Sequence, residues 1–246
     1  MASGETKLLA GKAALITGGS RGIGRAIAAA YAQAGADVFI CGREESAVAA
    51  ASNEIAEAGG SIDGGAGDVG SWRDAERLVR SATARFGKVD VLVNNASVLG
   101  LRQELVDYPV DVWEDVLRIN LTGIFLMTRA VLPGMIERHA GSIINVTSGV
   151  GRRGKARWGA YAVSKAGLES FTQVLADEVR DAGIRVNSVN PAATRSRMRA
   201  AAYPAEDPLT LPTPEQVVPL FLYLASDASA EVTGQSLEAR DWQGSI

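Results

Sequence analysis

The 246-residue chain is predicted to fold as one α/β domain, a doubly wound parallel sheet with helices on both faces. Three observations predict it. Short apolar runs without polar alternation occur at 12–17, 36–41 and 89–94, which is how strands buried on both faces read. Longer amphipathic stretches separate them, and strand–helix–strand order implies right-handed crossovers. A glycine-rich turn joins the first strand to the first helix.

The elements follow in order. Strands are predicted at 12–17, 36–41, 61–66, 89–94, 141–147, 184–190 and 235–239. A helix at 23–34 stops at Gly35, a good residue for a helix end. Residues 45–58 stop at Gly59–Gly60, and residues 72–86 start after Ser71, a natural N-cap, and stop at Gly87. Long helices are predicted at about 111–138 and 160–182, and a shorter one at about 214–226. The proline-rich stretch 204–214 reads as part of a lid at about 195–213, not as a linker. The whole chain, 1–246, is therefore predicted to be a single domain.

Composition excludes several function classes. A hydrophobic fraction of 47% supports a sizeable core, and a net charge of −3 offers no broad basic field for nucleic acid. Cys41 and His139 are the only residues of their types, so an internal disulfide, a cysteine cluster and a two-histidine metal site are ruled out. Cys41 reads as a buried strand residue and His139 as a helix-end surface residue. The apolar runs are too short to cross a bilayer, and the first seven residues lack the apolar stretch of a signal peptide. A soluble, cytoplasmic protein that needs no membrane is expected.

The turn Thr17-Gly-Gly-Ser-Arg-Gly-Ile-Gly24 carries the first functional signal. Glycines there let the chain turn sharply and let backbone approach a pyrophosphate. The following helix presents free N–H groups and the positive end of its dipole. This marks a Rossmann-type dinucleotide site, with Gly18, Ser20, Arg21, Gly22, Ile23 and Gly24 as candidate cofactor residues.

That turn, then Asn94-Asn95-Ala96, then Ser148, then Tyr161-x-x-x-Lys165, together resemble the classical short-chain dehydrogenase/reductase family, in order along nearly the whole chain. Tyr161 and Lys165 are four apart, so on a helix they share a face. A neighbouring ammonium, with the positive charge of an oxidised nicotinamide, favours the phenolate, so the tyrosine pKa is expected to fall, and Tyr161 becomes an acid/base for a carbonyl or alcohol. Ser148 is the expected donor to the substrate oxygen. The resemblance implies that Lys165 holds the nicotinamide ribose and that the Asn120 position holds a water of the proton relay. It also implies an adenine contact at Asp68-Val69 and cofactor contacts at Asn94, Ala96, Pro191 and Thr194.

The second strand ends Ile40-Cys-Gly-Arg43 with no carboxylate in the terminal position. Arg43, with Arg21 on the same side, suits a 2′-phosphate, so NADP(H) is favoured over NAD(H). Glu44 and Glu45 start the next helix. The expected activity is NADP(H)-dependent hydride transfer between a carbonyl and a secondary alcohol on a small-molecule substrate. Two alternatives stay open: a 3-oxoacyl-carrier-protein reductase-like enzyme, and a catalytically silent dinucleotide-binding regulator. The stretch 176–182 is mostly acidic, which argues against an acidic carrier.

The substrate signal is weaker. The segment 151–159 carries four cations and reads either as attraction for an anionic substrate or as a solvated loop, while Trp158 walls a pocket or anchors that loop. Two departures from the resemblance stand out. Ala192 follows Pro191 where a glycine is usual, which restricts the backbone. Glu238-Ala-Arg-Asp-Trp242 replaces a glycine-rich tail. The apolar content of 111–138 and 160–182 exceeds what one sheet covers, and the resemblance implies that these helices pack on their copies across a two-fold axis, so at least a homodimer is expected, with a tetramer favoured.

Overall fold

The computed structural model describes residues 7–244. Residues 1–6, on which the expectation of no signal peptide largely rests, lie outside them. The strands are β1 (Ala13–Thr17), β2 (Asp37–Gly42), β3 (Ser61–Ala66), β4 (Val91–Asn94), β5 (Gly141–Val146), β6 (Ile184–Asn190) and β7 (Ser236–Glu238). They form one parallel sheet in the order β3-β2-β1-β4-β5-β6-β7. The order reverses between β1 and β4, so a crevice opens there at the strand C-terminal ends.

The helices are α1 (Gly22–Gln33), α2 (Glu45–Glu57), α3 (Trp72–Phe86), α4 (Val110–Leu117), α5 (Gly123–Glu137), α6 (Gly149–Arg152), α7 (Gly159–Glu178), α8 (Arg197–Ala202) and α9 (Val218–Ala225). Side chains alternate across β1, and each face has its own core. Ala14 and Ile16 pack with Ile27 and Tyr31 of α1 and Phe221 of α9. Leu15 packs with Leu78 of α3, Met127 of α5 and Leu175 of α7. The central strands are thus covered on both sides, as their unbroken apolar runs require. The predicted caps of α3 are present. Ser71 Oγ accepts from Asp74 N at 3.4 Å, and Gly87 ends the helix in the left-handed conformation at φ 80°.

The long helix expected over 111–138 is broken. A π turn at Arg118–Thr122 joins α4 to α5, and Asn120 sits fully buried inside it. The extra residue per turn aims the Asn120 side chain away from its own helix and at the backbone beyond β4. The span Val110–Glu137 has the length and apolar content to cross a membrane. Its Val116, Ile119, Ile124, Met127, Val131 and Met135 are nonetheless buried in this fold.

A polar ladder lies between the sheet and the helices on the α5 side. Asn94 Nδ2 donates to Asn145 Oδ1 (2.9 Å) and Thr128 Oγ1 (3.2 Å), and Asn145 Nδ2 donates to Thr172 Oγ1 (2.9 Å). These bonds tie β4, β5, α5 and α7 together directly beneath the crevice.

Candidate active site

The site begins where β1 ends. Gly18 (φ 64°) and Gly22 (φ 55°) take left-handed conformations that glycine adopts without strain. A Cβ on Gly19 would stand 2.6 Å from Ile40, and one on Gly24 only 2.3 Å from Gly18 O, so both positions are closed to side chains by packing. At Gly22 nothing lies within 4 Å, and the space there is open. The first turn of α1 has no acidic residue, and Arg21 makes no side-chain cap, which leaves its N–H groups suited to an anion.

A cleft of about 640 Å³ runs from this turn across the strand ends. It is lined at one end by Gly18, Ser20, Arg21, Gly22 and Ile23, with Arg43, Asp68 and Val69 beyond them. Ala96, Ser148, Tyr161, Lys165, Pro191 and Thr194 line the other end. Three predicted residues do not line it. Gly24 is consumed by the close approach of helix to strand. Asn94, expected to touch cofactor, points into the protein and belongs to the buried ladder. Its neighbour Asn95, one residue past the strand end, faces the cleft and donates to Thr17 O (2.9 Å) and Gly18 O (3.1 Å). Asn120 is the third, and its side chain is already committed. Its Oδ1 accepts from Val98 N (2.8 Å), and its Nδ2 donates to Val98 O (2.9 Å) and Ser164 Oγ (3.2 Å). It ties the segment after β4 to α7.

At the end of β2, Arg43 is exposed and makes no ion pair among the described residues, while Arg21 stands 3.8 Å from Glu44. The Asp68 carboxylate accepts from Gly70 N (2.9 Å) and from Arg118 Nη1 (2.6 Å). The partner Arg118, which no sequence motif marks, comes from the π turn.

Tyr161 and Lys165 are both buried on one face of α7. Lys165 Nζ donates to Val146 O at 2.8 Å and lies 5.6 Å from the centre of the Tyr161 ring. Burial pushes the lysine down to about 8, with Glu169 opposing. The Lys165 ammonium by itself does not lower the tyrosine pKa. Burial pushes the Tyr161 phenol up to about 12, and the Ser148 and Ser97 hydroxyls oppose it only in part. Helical spacing places a lysine beside a tyrosine but does not reveal how dry their surroundings are.

The far end of the cleft is apolar. Trp158, Tyr161, Ala162 and Ala202 form a small core of their own, with Leu99 and Met198 against it. Arg195 braces the lid from within by binding the carbonyls of Pro208 and Leu211, and Arg102 fastens it to the body, stacking between Trp158 and Tyr203 and binding Ala202 O. Much of the cationic loop is neutralised. Arg152 pairs with Glu238 and Arg157 with Glu104 (3.3 Å), so two of its four charges meet carboxylates of the chain itself. Ala192 adopts φ 56° despite its side chain.

The comparisons with known proteins agree with this architecture. The family model described as short chain dehydrogenase matches residues 12–207. An uncharacterized oxidoreductase, YciK of Escherichia coli K12, is 37% identical over 243 residues, covering 95% of this chain and 93% of its own. The 3-oxoacyl-[acyl-carrier-protein] reductase FabG of Vibrio harveyi is 37% identical over 239 residues, covering 93% and 96%. A short chain dehydrogenase of Shigella flexneri, crystallised with NADP, superposes with a TM-score of 0.91 at 38% identity, covering 96% of this chain and all of that one. With the glycine turn, the Tyr161–Lys165 pair and this match over most of the sequence, the chain belongs to the classical short-chain dehydrogenase/reductase family.

Proposed function

We propose that the chain is an NADP(H)-dependent oxidoreductase that interconverts a carbonyl compound and a secondary alcohol, with Tyr161 as the acid/base. The observation that carries the reading is one cleft lined at one end by the glycine turn and at the other by Ser148, Tyr161 and Lys165. The open space at Gly22 and the uncapped start of α1 fit a pyrophosphate. Gly18, Ser20, Arg21, Gly22 and Ile23 would hold that part. Arg43 and Arg21 would take the 2′-phosphate, and Asp68 and Val69 the adenine side. Ala96, Pro191, Thr194 and Lys165 would hold the nicotinamide half. The Shigella relative's NADP complex supports the choice of dinucleotide. Bound there, the nicotinamide supplies or accepts the hydride.

The chain's own groups handle the proton. A phenol pushed to about 12 keeps its proton at neutral pH, which makes Tyr161 a ready donor to a carbonyl oxygen. The Ser148 hydroxyl polarises that oxygen from the neighbouring side. Lys165 stays mostly protonated at neutral pH and favours the phenolate once the proton has gone. Asn120 fixes the segment carrying Val98 against α7 and so shapes the substrate end. The small apolar core around Trp158 excludes water there.

The similarity to the Vibrio reductase favours a second reading, reduction of a carrier-bound 3-oxoacyl group. The exposed acids Asp177 and Glu178 at the end of α7 repel an acidic carrier, which places it second. The complete Ser148, Tyr161 and Lys165 set argues against a silent regulator.

Assembly belongs to the same reading. Phe125 of α5 and Val163 and Val174 of α7 are 45%, 47% and 53% exposed. Such apolar side chains on two long helices suit an isologous interface with a second copy, hence a homodimer at least and a tetramer by further pairing.

The deciding experiment is a panel of ketones, aldehydes and alcohols assayed by cofactor absorbance with NADPH, NADH and their oxidised forms. Carbonyl-dependent consumption of NADPH, faster than of NADH, is expected. Tight NADPH binding with no turnover on any of these would leave the carrier-bound and the silent readings, which a 3-oxoacyl thioester substrate then separates.

A further inference from the structure

The turn after β6 carries a residue in an unfavourable conformation, and a chain of polar contacts converges on it. At φ 56° the Ala192 Cβ crowds its own backbone, a position an L-residue takes only when its surroundings hold it there. Ala192 N donates to Asn190 Oδ1 at 3.0 Å, and Asn190 Nδ2 donates to Glu238 Oε2 at 2.9 Å. Asn190 and Glu238 are register partners across β6 and β7. An amide has a donor end and an acceptor end, whereas a carboxylate only accepts. Glu238 therefore fixes which way the Asn190 amide points, with Nδ2 toward the carboxylate and Oδ1 toward the Ala192 N–H.

Glu238 is itself oriented. Its other oxygen pairs with Arg152 of α6, whose guanidinium also donates to Ser236 Oγ at 3.1 and 2.6 Å. Arg152 Nε stands 3.5 Å from Glu169, one turn beyond Lys165 on α7. The remaining bonds at this turn do different work. Ala239 N donates to Asn190 O and continues the sheet (2.9 Å), and Thr194 Oγ1 donates to Pro191 O and closes the turn from within (2.7 Å). Neither touches Ala192. Pro191, Ala192 and Thr194 line the same cleft as Lys165.

We infer that Glu238, acting through Asn190 and steadied by Arg152, is a positioning residue that holds the 190–194 turn in the left-handed shape presenting Pro191 and Thr194 to the dinucleotide. The inference rests on the cofactor reading above. It also gives a task to the atypical Glu238, in the segment where a glycine-rich tail is usual, and to one cation of the 151–159 loop.

A double-mutant cycle tests it. Glu238→Gln keeps the size but presents a donor as readily as an acceptor, and it cannot form an ion pair with Arg152. Ala192→Gly removes the Cβ that makes the hold necessary. The readouts are the melting temperature of the unliganded chain and NADPH binding by fluorescence. Glu238→Gln is expected to weaken NADPH about fivefold in the parent, the scale of one hydrogen bond, and less than about twofold in the Ala192→Gly background. The melting temperatures should show the same non-additivity. Equal losses in both backgrounds, in either readout, overturn the inference. Should Glu238→Gln fail to fold, Arg152→Met loosens the same carboxylate from the surface. Its loss should again be smaller in the Ala192→Gly background, and additivity there is equally fatal. A parent that does not bind NADPH refutes the cofactor reading instead, and the melting cycle then judges the hold alone.

Discussion

The Lys165 ammonium lies 5.6 Å from the centre of the Tyr161 ring and gives a hydrogen bond to Val146 O. At that separation its field does not offset the dryness of the pocket, and the two groups move in opposite directions, the phenol up and the ammonium down. The pair therefore carries both protons at neutral pH. That state holds a proton ready for donation.

Tyr161→Phe removes the proposed proton donor and keeps the ring against Trp158, whose centre is 5.7 Å away. Turnover is expected to fall by about a hundredfold to ten-thousandfold, the range of one positioned acid, while NADPH binding stays close to that of the parent. Steady-state rates with fluorescence titration check this. A rate within about tenfold of the parent would give the acid role to another group.

Arg43→Ala removes an exposed cation that has no carboxylate partner among the described residues, so little structure should be lost. NADPH affinity is expected to fall by about 1.5–3 kcal/mol, the worth of a hydrogen bond to a charged group, and NADH affinity to change little. Equal losses for both would mean that the guanidinium does not read the 2′-phosphate.

Lys165→Met exposes the energetic burden of the buried ammonium. The folded pKa is lowered from 10.5 to about 8, so between those values the unfolded chain binds more protons and the stability of the parent rises with pH. Below about pH 8 both states are protonated and the burden is fully present. The stability difference, parent minus variant, should grow by about 1–3 kcal/mol between pH 8 and pH 10.5 in denaturant titrations. A flat difference would show that the lysine is well solvated.

Phe125→Glu places a charge on the exposed apolar side of α5, away from the cleft. Light scattering at micromolar concentration should give the parent a mass at least twice 25.7 kDa and should shift the variant toward a single chain. A parent mass of one chain would remove the proposed interface.

Much of the architecture was legible because each element carried its own punctuation. Ser71 and Gly87 bracket α3, which runs over 72–86 as expected, and β6 occupies 184–190 as expected. The strand at 61–66 was also found, although Ser61-Ile-Asp-Gly-Gly-Ala is only half-buried at the sheet edge. The break at 118–122 was not legible, because Arg-Ile-Asn-Leu-Thr fits ordinary helical periodicity. Only the bonds of Asn120 to Val98 and Ser164 reveal what the extra turn is for.

The site divides along the same line. The glycine turn, Ser148, Tyr161 and Lys165 were marked by spacing and face one cleft. The exchange of Asn94 for Asn95 turns on which side of a strand end a side chain leaves, and two adjacent identical residues carry no signal of that. Arg118 on Asp68, and Glu238 on Asn190, join positions 50 and 48 residues apart. Pairings of that range are set by tertiary packing and have no local pattern to find.

Cys41 ends in a practical advantage. It is the sole cysteine, it is fully buried in β2, and burial pushes its thiol up to about 12. With almost no thiolate and no exposed surface of its own, it should react slowly with maleimides and in disulfide exchange. A single cysteine introduced at Leu209, 77% exposed on the lid, would then be the one reactive handle on an otherwise native background. A dye attached there reports lid position by fluorescence without any prior removal of thiols from the protein.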